Sequence, residues 1–364
     1  MEKDVKIVGA GVVGLMLAKR LATNGIRTTV YEQKKRVGYP VKASGILSIR
    51  GIGALGINYK KAVENELGGA RIHIGKTLLK VHSEKPVAYA VDRLRLNEIC
   101  YDEAVSAGAK VELGHRISES EIRSFAKESV VVGADGAVSM VAKSFDFEPI
   151  SRYVLTYRAE YHTDVSDIDV VDIFVDTKIT PGFFGWVAPI AKDKIEVAVG
   201  IDSTRGNSRR AFDSFVKIKE VAEMIDGAKA LGAEASIIPL SLRKNFVDEK
   251  KDVLLVGDAA GQTKQSTGGG IIFGGNAAIM AAVAIQKYLS GDGLLIDYQK
   301  EWMRNFGADA RMHGAIHWIY SHFDTGALGA FASLLKVMGI EGFLSRHGDM
   351  DSPKRMLKSL FGKA

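Results

Sequence analysis

The chain has 364 residues, with 49 basic and 43 acidic side chains, a formal net charge of +6, an apolar share of 46% and one cysteine, Cys100. That length suits one large domain interleaved with a second, smaller one, and the lone cysteine excludes an internal disulfide framework or a cysteine metal cluster and points to a reducing, cytoplasmic setting. The scattered basic residues accompany no nucleic-acid recognition motif, no stretch reaches the roughly 18 consecutive apolar residues of a bilayer-spanning helix, and the mild positive excess favours anionic partners such as phosphates and lipid surfaces.

The opening "MEKDVKIVGAG" enters a strand at once, so no secretory leader is expected. "VKIVGAGVVGLMLAKRLATNGIRTTVYEQ" reads as strand, turn, helix, turn, strand. Val5 to Val8 form a short apolar run of the buried parallel type. Gly9, Gly11 and Gly14 spell G-x-G-x-x-G, Leu15, Leu17, Ala18 and Leu21 continue at helical spacing, and the second strand ends in Glu32, eighteen residues after Gly14. Gly9 serves the tight turn, Gly11 lets the backbone approach a pyrophosphate, and Gly14 permits close helix–strand packing. The helix N-terminus offers free N–H groups to the phosphates, and Glu32 can bind a ribose. Dinucleotide binding follows.

No second phosphate loop for a nicotinamide cofactor is apparent. "GYPVKASGILS" is followed, from Ala90, by "AVDRLRLNEICYDEAVSAGAKVELGHRI", a helix and then a strand. Cys100 falls among the inward positions of that helix, which makes it a buried, inert thiol. "SVVVGADGAVSMVAK" gives a strand from Ser129 to Val132, a turn and a helix start. In "TDVSDIDVVDIFVD", Asp164, Asp167, Asp169, Asp172 and Asp176 alternate with valine and isoleucine, the pattern of a strand with one wet face rather than a catalytic pair. Phe183, Phe184 and Trp186, with Tyr153, Tyr157, Tyr161 and Phe174, give the middle segment an aromatic-rich sheet able to line an apolar tunnel.

"DVLLVGDAAGQTKQSTGGGIIFGGNAAIMAAVAIQKYL" supplies strand, Gly-Asp turn, glycine loop and a long Ala-rich helix. Seven glycines fall within the nineteen residues from Gly257 to Gly275. A planar ring needs a wall without side chains, and Gly268, Gly269 and Gly270 offer one. The helix starting near Ile271 would aim its positive end at that ring. His313 and His317 stand four apart in "RMHGAIHWIYSHF", but with no neighbouring Glu or Cys they read as packing residues, and no metal site is expected. The C-terminal stretch holds two short amphipathic segments, the last one basic: a solvated helix or a peripheral attachment to an anionic membrane.

The three glycine-bearing blocks resemble the FAD-binding signatures of the glutathione-reductase/p-hydroxybenzoate-hydroxylase structural class. More narrowly, "GDAAGQTKQSTGGGI", "PGFFGWVAPI" and "GYPVKASGILS" are similar to segments of the geranylgeranyl reductase family, in particular archaeal digeranylgeranylglycerophospholipid reductases, over residues 1–300 or so. The resemblance implies FAD as cofactor. It implies that Asp258 binds the ribityl or phosphate region, Gly270 and Ile271 hold the flavin ring through their backbones, and Arg93 contacts the cofactor from its helix. Ile117 would meet the adenine side, Val13 and Glu32 would belong to the phosphate turn and ribose site, and Ala43 and Ser44 would lie beside the isoalloxazine. Phe184, Trp186 and Pro189 would bind substrate. Two positions depart from the family: Ala43 stands where it usually has cysteine, and Gln265 where many members have proline. Alanine can neither deliver a proton nor carry redox chemistry, so no catalytic side chain is assigned.

The expected architecture is α/β: a Rossmann-like FAD-binding domain from 1–147 and 250–290 with a lid-like insertion at 56–87, an antiparallel-sheet substrate domain from 148–249, and a helical C-terminal region from 291–364. The expected activity is reduction of C=C bonds in the geranylgeranyl chains of archaeal-type ether lipids. Ferredoxin, a deazaflavin or a nicotinamide would serve as electron donor, with peripheral contact at the inner face of the membrane. A flavin monooxygenase or halogenase-like enzyme and a flavin electron-transfer protein are the alternatives on the same fold.

Overall fold

The computed structural model describes residues 3–41 and 43–360. In chain order, β1 (Val5–Val8), α1 (Val12–Thr23) and β2 (Thr28–Glu32) are followed by β3 (Ile46–Ser48), α2 (Ile49–Gly53), β4 (Val63–Leu67), β5 (Gly69–Ile74), β6 (Thr77–His82) and β7 (Ala88–Val91). Then come α3 (Arg93–Ser106), β8 (Lys110–Leu113), α4 (Glu119–Phe125), β9 (Val130–Gly133) and α5 (Met140–Ser144). The middle segment holds β10 (Tyr153–His162), β11 (Val170–Val175), β12 (Gly185–Ala191), β13 (Lys194–Asp202), α6 (Ser208–Phe215), α7 (Lys219–Met224) and β14 (Lys229–Pro239). The chain returns through β15 (Val247–Asp248) and β16 (Val253–Leu255) to α8 (Ile271–Ser290), α9 (Ile296–His322), α10 (Thr325–Val337), α11 (Ile340–His347) and α12 (Pro353–Leu360).

The described residues form three sheets. The first runs β15-β16-β9-β1-β2-β8, parallel except at the β15 edge. Its central strand β9 is buried on both faces, so Val130, Val131 and Val132 form an unbroken apolar run without exposure, and in β1 Val5 and Ile7 are fully buried on either side of Lys6. α1 packs against α3 and α8, with Val13 and Met16 against Gly274 and Gly275 of α8, and its Leu15, Leu17 and Leu21 are fully buried. Each fully buried Leu contributes roughly 1.5–3 kcal/mol of transfer free energy. Tyr298 and Trp302 of α9 are fully enclosed in this same core, so the first turns of α9 belong to the nucleotide-binding core rather than to a separate tail.

The second sheet runs β14-β10-β13-β12-β11-β5-β6, and the third is the small antiparallel β3-β7-β4. The 56–87 segment is therefore not a lid. β5 pairs in parallel with β11, and β6 closes the edge, so the insertion extends the substrate-domain sheet and makes it mixed. This pairing also changes the reading of the acidic alternation. Asp172 is 3% exposed, with Arg71 Nε at 2.8 Å, Arg71 Nη2 at 2.6 Å and His73 Nε2 at 2.7 Å. Burial alone would raise its pKa, but His73 and Arg71 hold the carboxyl below the usual range. Strand β11 thus has two covered faces, one of them carrying a buried ion cluster.

Candidate functional site

A cavity of about 980 Å³ opens where the three sheets and the C-terminal helices meet. One end is built by backbone. Gly11, Val12 and Val13 of the β1–α1 turn and Gly268, Gly269, Gly270 and Ile271 before α8 all line it. Neither α1 nor α8 has a side-chain cap. Two uncapped helix N-termini therefore face one cavity, each with free N–H groups and a partial positive charge that call for an acceptor from outside the chain. Val13 lies against both Gly257 and Gly274, which sets the two termini side by side.

The glycines do distinct work. Gly9 has φ +106°, and a Cβ there would overlap the Ala134 carbonyl, so this turn admits no side chain. Gly11 has an ordinary backbone, and a Cβ on it would meet nothing within 4 Å. The space over Gly11 opens into the cavity. At Gly269 and Gly270 the reason differs from the expected bare wall: an added Cβ would meet Lys264 Cε or Asp258 Oδ1, each at 2.6 Å. Those glycines admit a cation and a carboxylate to the cavity wall while their own backbone lines it.

Arg93, at the start of α3 behind the Asp92 cap, and Asp258 both line the cavity. Burial lowers Arg93 to about 10, with Asp258 opposing, and burial pushes Asp258 up to about 6 against the pull of Arg93. Arg93 Nε and Ser44 Oγ are enclosed with no hydrogen-bond partner. Unpaired buried polar groups are costly, and here they sit beside two uncapped helix ends. The donor set fits an anionic, hydroxyl-bearing dinucleotide such as FAD: α1 and Gly11 would hold the pyrophosphate, Asp258 and Arg93 the ribityl–flavin junction, and Gly270 and Ile271 the ring edge.

Beyond this end the wall is largely apolar, formed by Leu47, Leu67, Ile72, Val171, Ile173, Phe184, Trp186 and Ile238. Trp186 is held by its Nε1 donating to Glu196 at 2.9 Å, and Glu196 is ion-paired with Arg158. Lys264, 3% exposed, donates to Asp351 at 2.7 Å, and Ser48 donates to the other oxygen of that carboxylate. His313 Nδ1 stands 2.6 Å from Ser266 Oγ, and burial followed by the Lys264 charge lowers the imidazole to about 4.

Most of the residues expected from sequence converge here: Gly11, Val13, Ala43, Ser44, Arg93, Asp258, Gly268, Gly269, Gly270, Ile271, Phe184 and Trp186 all line the cavity. Gly9 and Gly14 support the turn from behind. Glu32 and Ile117 do not line it. Glu32 Oε2 accepts from Ala10 N at 2.9 Å and so braces the phosphate turn, while Ile117 is buried in the core. Pro189 is a correction: it is buried in β12 away from the cavity, and its carbonyl accepts from Asn65 Nδ2. Tyr157 and Phe174 likewise turn from the cavity and pack with Phe212 and Phe215 of α6. Cys100 is buried, and burial pushes its thiol up to about 12. His317 Nε2 stands 3.0 Å from the Gly182 carbonyl. Sequence reasoning missed Lys264, Asp351 and the tail residues Leu344, Met350 and Met356 that form one wall. A single cation inside the otherwise uncharged "GQTKQSTGGG" was the available signal for Lys264.

The parallel sheet, the glycine turn and the two converging helix ends define a dinucleotide-binding flavoprotein. The chain belongs to the FAD-binding domain family, whose model matches residues 2–301, and it is an FAD-dependent oxidoreductase. It is 29% identical to an uncharacterized protein of Methanocaldococcus jannaschii, over 98% of this chain and 95% of that one. It is 27% identical to the digeranylgeranylglycerophospholipid reductase of Methanothrix thermoacetophila, over 86% of each chain. Its fold matches that of a geranylgeranyl bacteriochlorophyll reductase-like protein from Thermoplasma acidophilum with a TM-score of 0.82 at 20% identity, covering 99% of this chain and 96% of the other.

Proposed function

We propose that the protein reduces C=C bonds in the geranylgeranyl chains of an archaeal-type ether lipid. The observation that carries this reading is the continuity of one cavity from the backbone-lined nucleotide end to the apolar wall of Phe184, Trp186, Val171 and Ile173. An isoprenoid has no polar group along its length, so it needs a wall of this kind, and water must be kept from the reacting bond. Reduced FAD, held by the α1 turn, Arg93, Asp258 and the Gly270–Ile271 backbone, would supply the hydride for one alkene carbon. Trp186, immobilised by Glu196, and Phe184 hold the chain in place. Lys264 carries a proton at the cavity wall beside Gly269, and Asp351 fixes its ammonium there. In this reading Lys264 supplies the proton that Ala43 cannot. The electron donor is a separate molecule, a ferredoxin, a deazaflavin or a nicotinamide.

Contact with a lipid surface is part of the same proposal. From Met312 to Ile340 only Asp324 and Lys336 carry a formal charge, histidines aside. Trp318, Phe323, Phe331, Leu334, Val337 and Met338 are exposed along α9 and α10, with Val337 at 88%. An amphipathic helix normally turns a charged face to water. This apolar face, rather than the basic C-terminal end, is the region we assign to the bilayer; residues 361–364 of that end lie outside the described residues.

The test is product mass. Holoenzyme reduced chemically without oxygen and given a geranylgeranyl ether lipid should return lipid heavier by two hydrogens for each bond reduced. Recovery of lipid at its starting mass contradicts the proposal. Oxygen-dependent conversion of an aromatic substrate instead would favour the monooxygenase or halogenase-like alternative.

A further inference from the structure

One wall of the cavity is a helix with little to hold it in place. α11 contributes Leu344, Ser345 and Arg346 to the lining, alongside Val81, Pro86 and Val87 of β6 and the loop that follows it. None of its eight residues is buried. It is tied to β6 by two side chains: Lys80 N donates to Glu341 Oε1 at 2.6 Å, and His82 N donates to Ser345 Oγ at 3.1 Å. β6 is the last strand of its sheet, so these are outer-edge N–H groups, which water satisfies nearly as well as α11 does.

The segments on either side are fastened more firmly. α10 is anchored near its start by Thr177 N donating to Thr325 Oγ1 at 2.9 Å and by Thr77 Oγ1 donating to the Gly329 carbonyl at 3.0 Å. After α11, Asp351 accepts from Lys264 at 2.7 Å and takes a second contact from Ser48, while Ser352 Oγ donates to Asp309 at 3.0 Å. A glycine stands at each junction. Gly339, where α10 and α11 meet at 78°, has φ +82°. At Gly348 an added Cβ would lie 2.5 Å from the Leu344 carbonyl. A weakly tied wall between two fixed segments, with a glycine at each end to absorb the change in backbone angle, is the arrangement of a hinged lid.

What would open it lies beside it. Val337 and Met338, 88% and 73% exposed, directly precede Gly339 and end the apolar face assigned above to the bilayer. Residues 75–87 and 336–348 carry five cations, Lys76, Lys80, Lys85, Lys336 and Arg346, against the carboxylates Glu84 and Glu341. That excess suits an anionic lipid surface. Ile340, Phe343 and Leu344 are half-buried while α11 is closed. Swinging outward in water would expose them, whereas swinging outward into lipid would not. The open form therefore gains from a bilayer what the closed form does not, and such a difference is what shifts a two-state equilibrium.

We propose that α11 is a lid, hinged at Gly339 and Gly348, that opens on contact with an anionic bilayer so that substrate passes from the membrane into the cavity without crossing water. The proposal rests on the isoprenoid-reducing function above and adds its regulation. The cavity stays shut in solution and opens only at the surface where the substrate is found.

The experiment follows the lid rather than the chemistry. Cys100 is buried, so spin labels go to introduced cysteines at exposed His347 on α11 and exposed Val105 on α3 (His347→Cys, Val105→Cys). Their distance is read by double electron–electron resonance in FAD-loaded protein, with and without vesicles of a saturated, anionic diphytanyl phospholipid. One closed distance should dominate in buffer, and vesicles should raise the population at a second distance about tenfold or more. Each tie to β6 favours closure by about two- to tenfold, so E341A/S345A should raise that population about tenfold without vesicles. A reference pair at Val105 and Leu294, beside the core residue Leu295, should keep one distance throughout. Four results overturn the lid: no change in the His347–Val105 distance on vesicles, a second distance already dominant in buffer, a reference pair that moves as well, or an E341A/S345A protein that keeps its FAD and stays closed. If that variant loses FAD, the vesicle comparison on the unaltered ties decides alone. Opening on vesicles without reduction of any prenyl lipid would refute the proposed function alone, and lipid reduction by protein whose lid stays shut would refute the lid alone.

Discussion

Replacing Gly11 with alanine separates folding from cofactor binding. The residue has φ −72° and ψ 170°, which alanine adopts without strain, and its new methyl would meet nothing within 4 Å. In the apoprotein the gain from a less flexible unfolded chain, about 0.4–1 kcal/mol, is offset by the weaker preference of alanine for an N-cap, a cost of similar size. Apoprotein stability should therefore change by less than about 1 kcal/mol. The methyl does, however, occupy the space from which a pyrophosphate would reach the first N–H groups of α1. Losing one or two charge-assisted hydrogen bonds, about 1.5–3 kcal/mol each, weakens FAD binding by about tenfold to several hundredfold or more. Thermal melting of apoprotein and titration of FAD by fluorescence quenching read the two quantities separately. Gly9→Ala is the contrast: its methyl overlaps the Ala134 carbonyl at φ +106°, so apoprotein stability itself should fall. Wild-type FAD affinity in G11A would refute the placement of the pyrophosphate over α1, and a large drop in its apoprotein melting temperature would refute the geometry of the turn.

The other expectations are shorter. Lys264→Met should keep its FAD content but lose about a hundredfold in reduction rate, the usual scale of a general acid, as measured by product formation under reducing, oxygen-free conditions; an unchanged rate removes Lys264 from proton delivery. His313 is lowered to about 4 by burial and by Lys264, so the fold favours its neutral form. The stability this contributes is complete above about pH 6.5 and is lost as pH falls from there toward 4, by about 3 kcal/mol in total. H313N should flatten that acid limb in denaturant titrations, and an unaltered limb would contradict the shift. Trp186→Ala should raise KM for a prenyl substrate by about tenfold or more through lost contact area, whereas Pro189→Ala should leave KM unchanged because Pro189 does not line the cavity. The reverse order would contradict the assignment of the wall.

What could be read from sequence was what neighbouring residues impose on one another. The turn at Gly9 needs φ +106°, and Gly14 packs directly on the Gly9 carbonyl; these two constraints act within a few residues, so the spacing of the glycines reports them, whereas the Ala134 carbonyl that also excludes a side chain at Gly9 comes from far along the chain. The same holds for the glycine loop before α8, although there the side chains made room for, Lys264 and Asp258, were not the reason anticipated. What could not be read was pairing across distance. Asp172 looks like one acid in a wet alternating strand, and only its partners Arg71 and His73, about a hundred residues earlier, show that it is buried. The parallel pairing of β5 with β11 that brings them together leaves no mark in either strand alone. Likewise, nothing local to "GDMDS" indicates that Asp351 reaches Lys264 and Ser48, yet that contact turns the C-terminal segment into a wall of the cavity.

The central claim is that electrons pass from FAD to an isoprenoid double bond inside this cavity, and the flavin's own colour tests it most directly. Holoenzyme bleached by chemical reduction in the absence of oxygen should recover its oxidised-flavin absorbance when a geranylgeranyl phospholipid is added, in proportion to the double bonds lost. If the absorbance stays bleached in the presence of the lipid and returns only when oxygen is admitted, the flavin does not reduce that chain and the account is wrong.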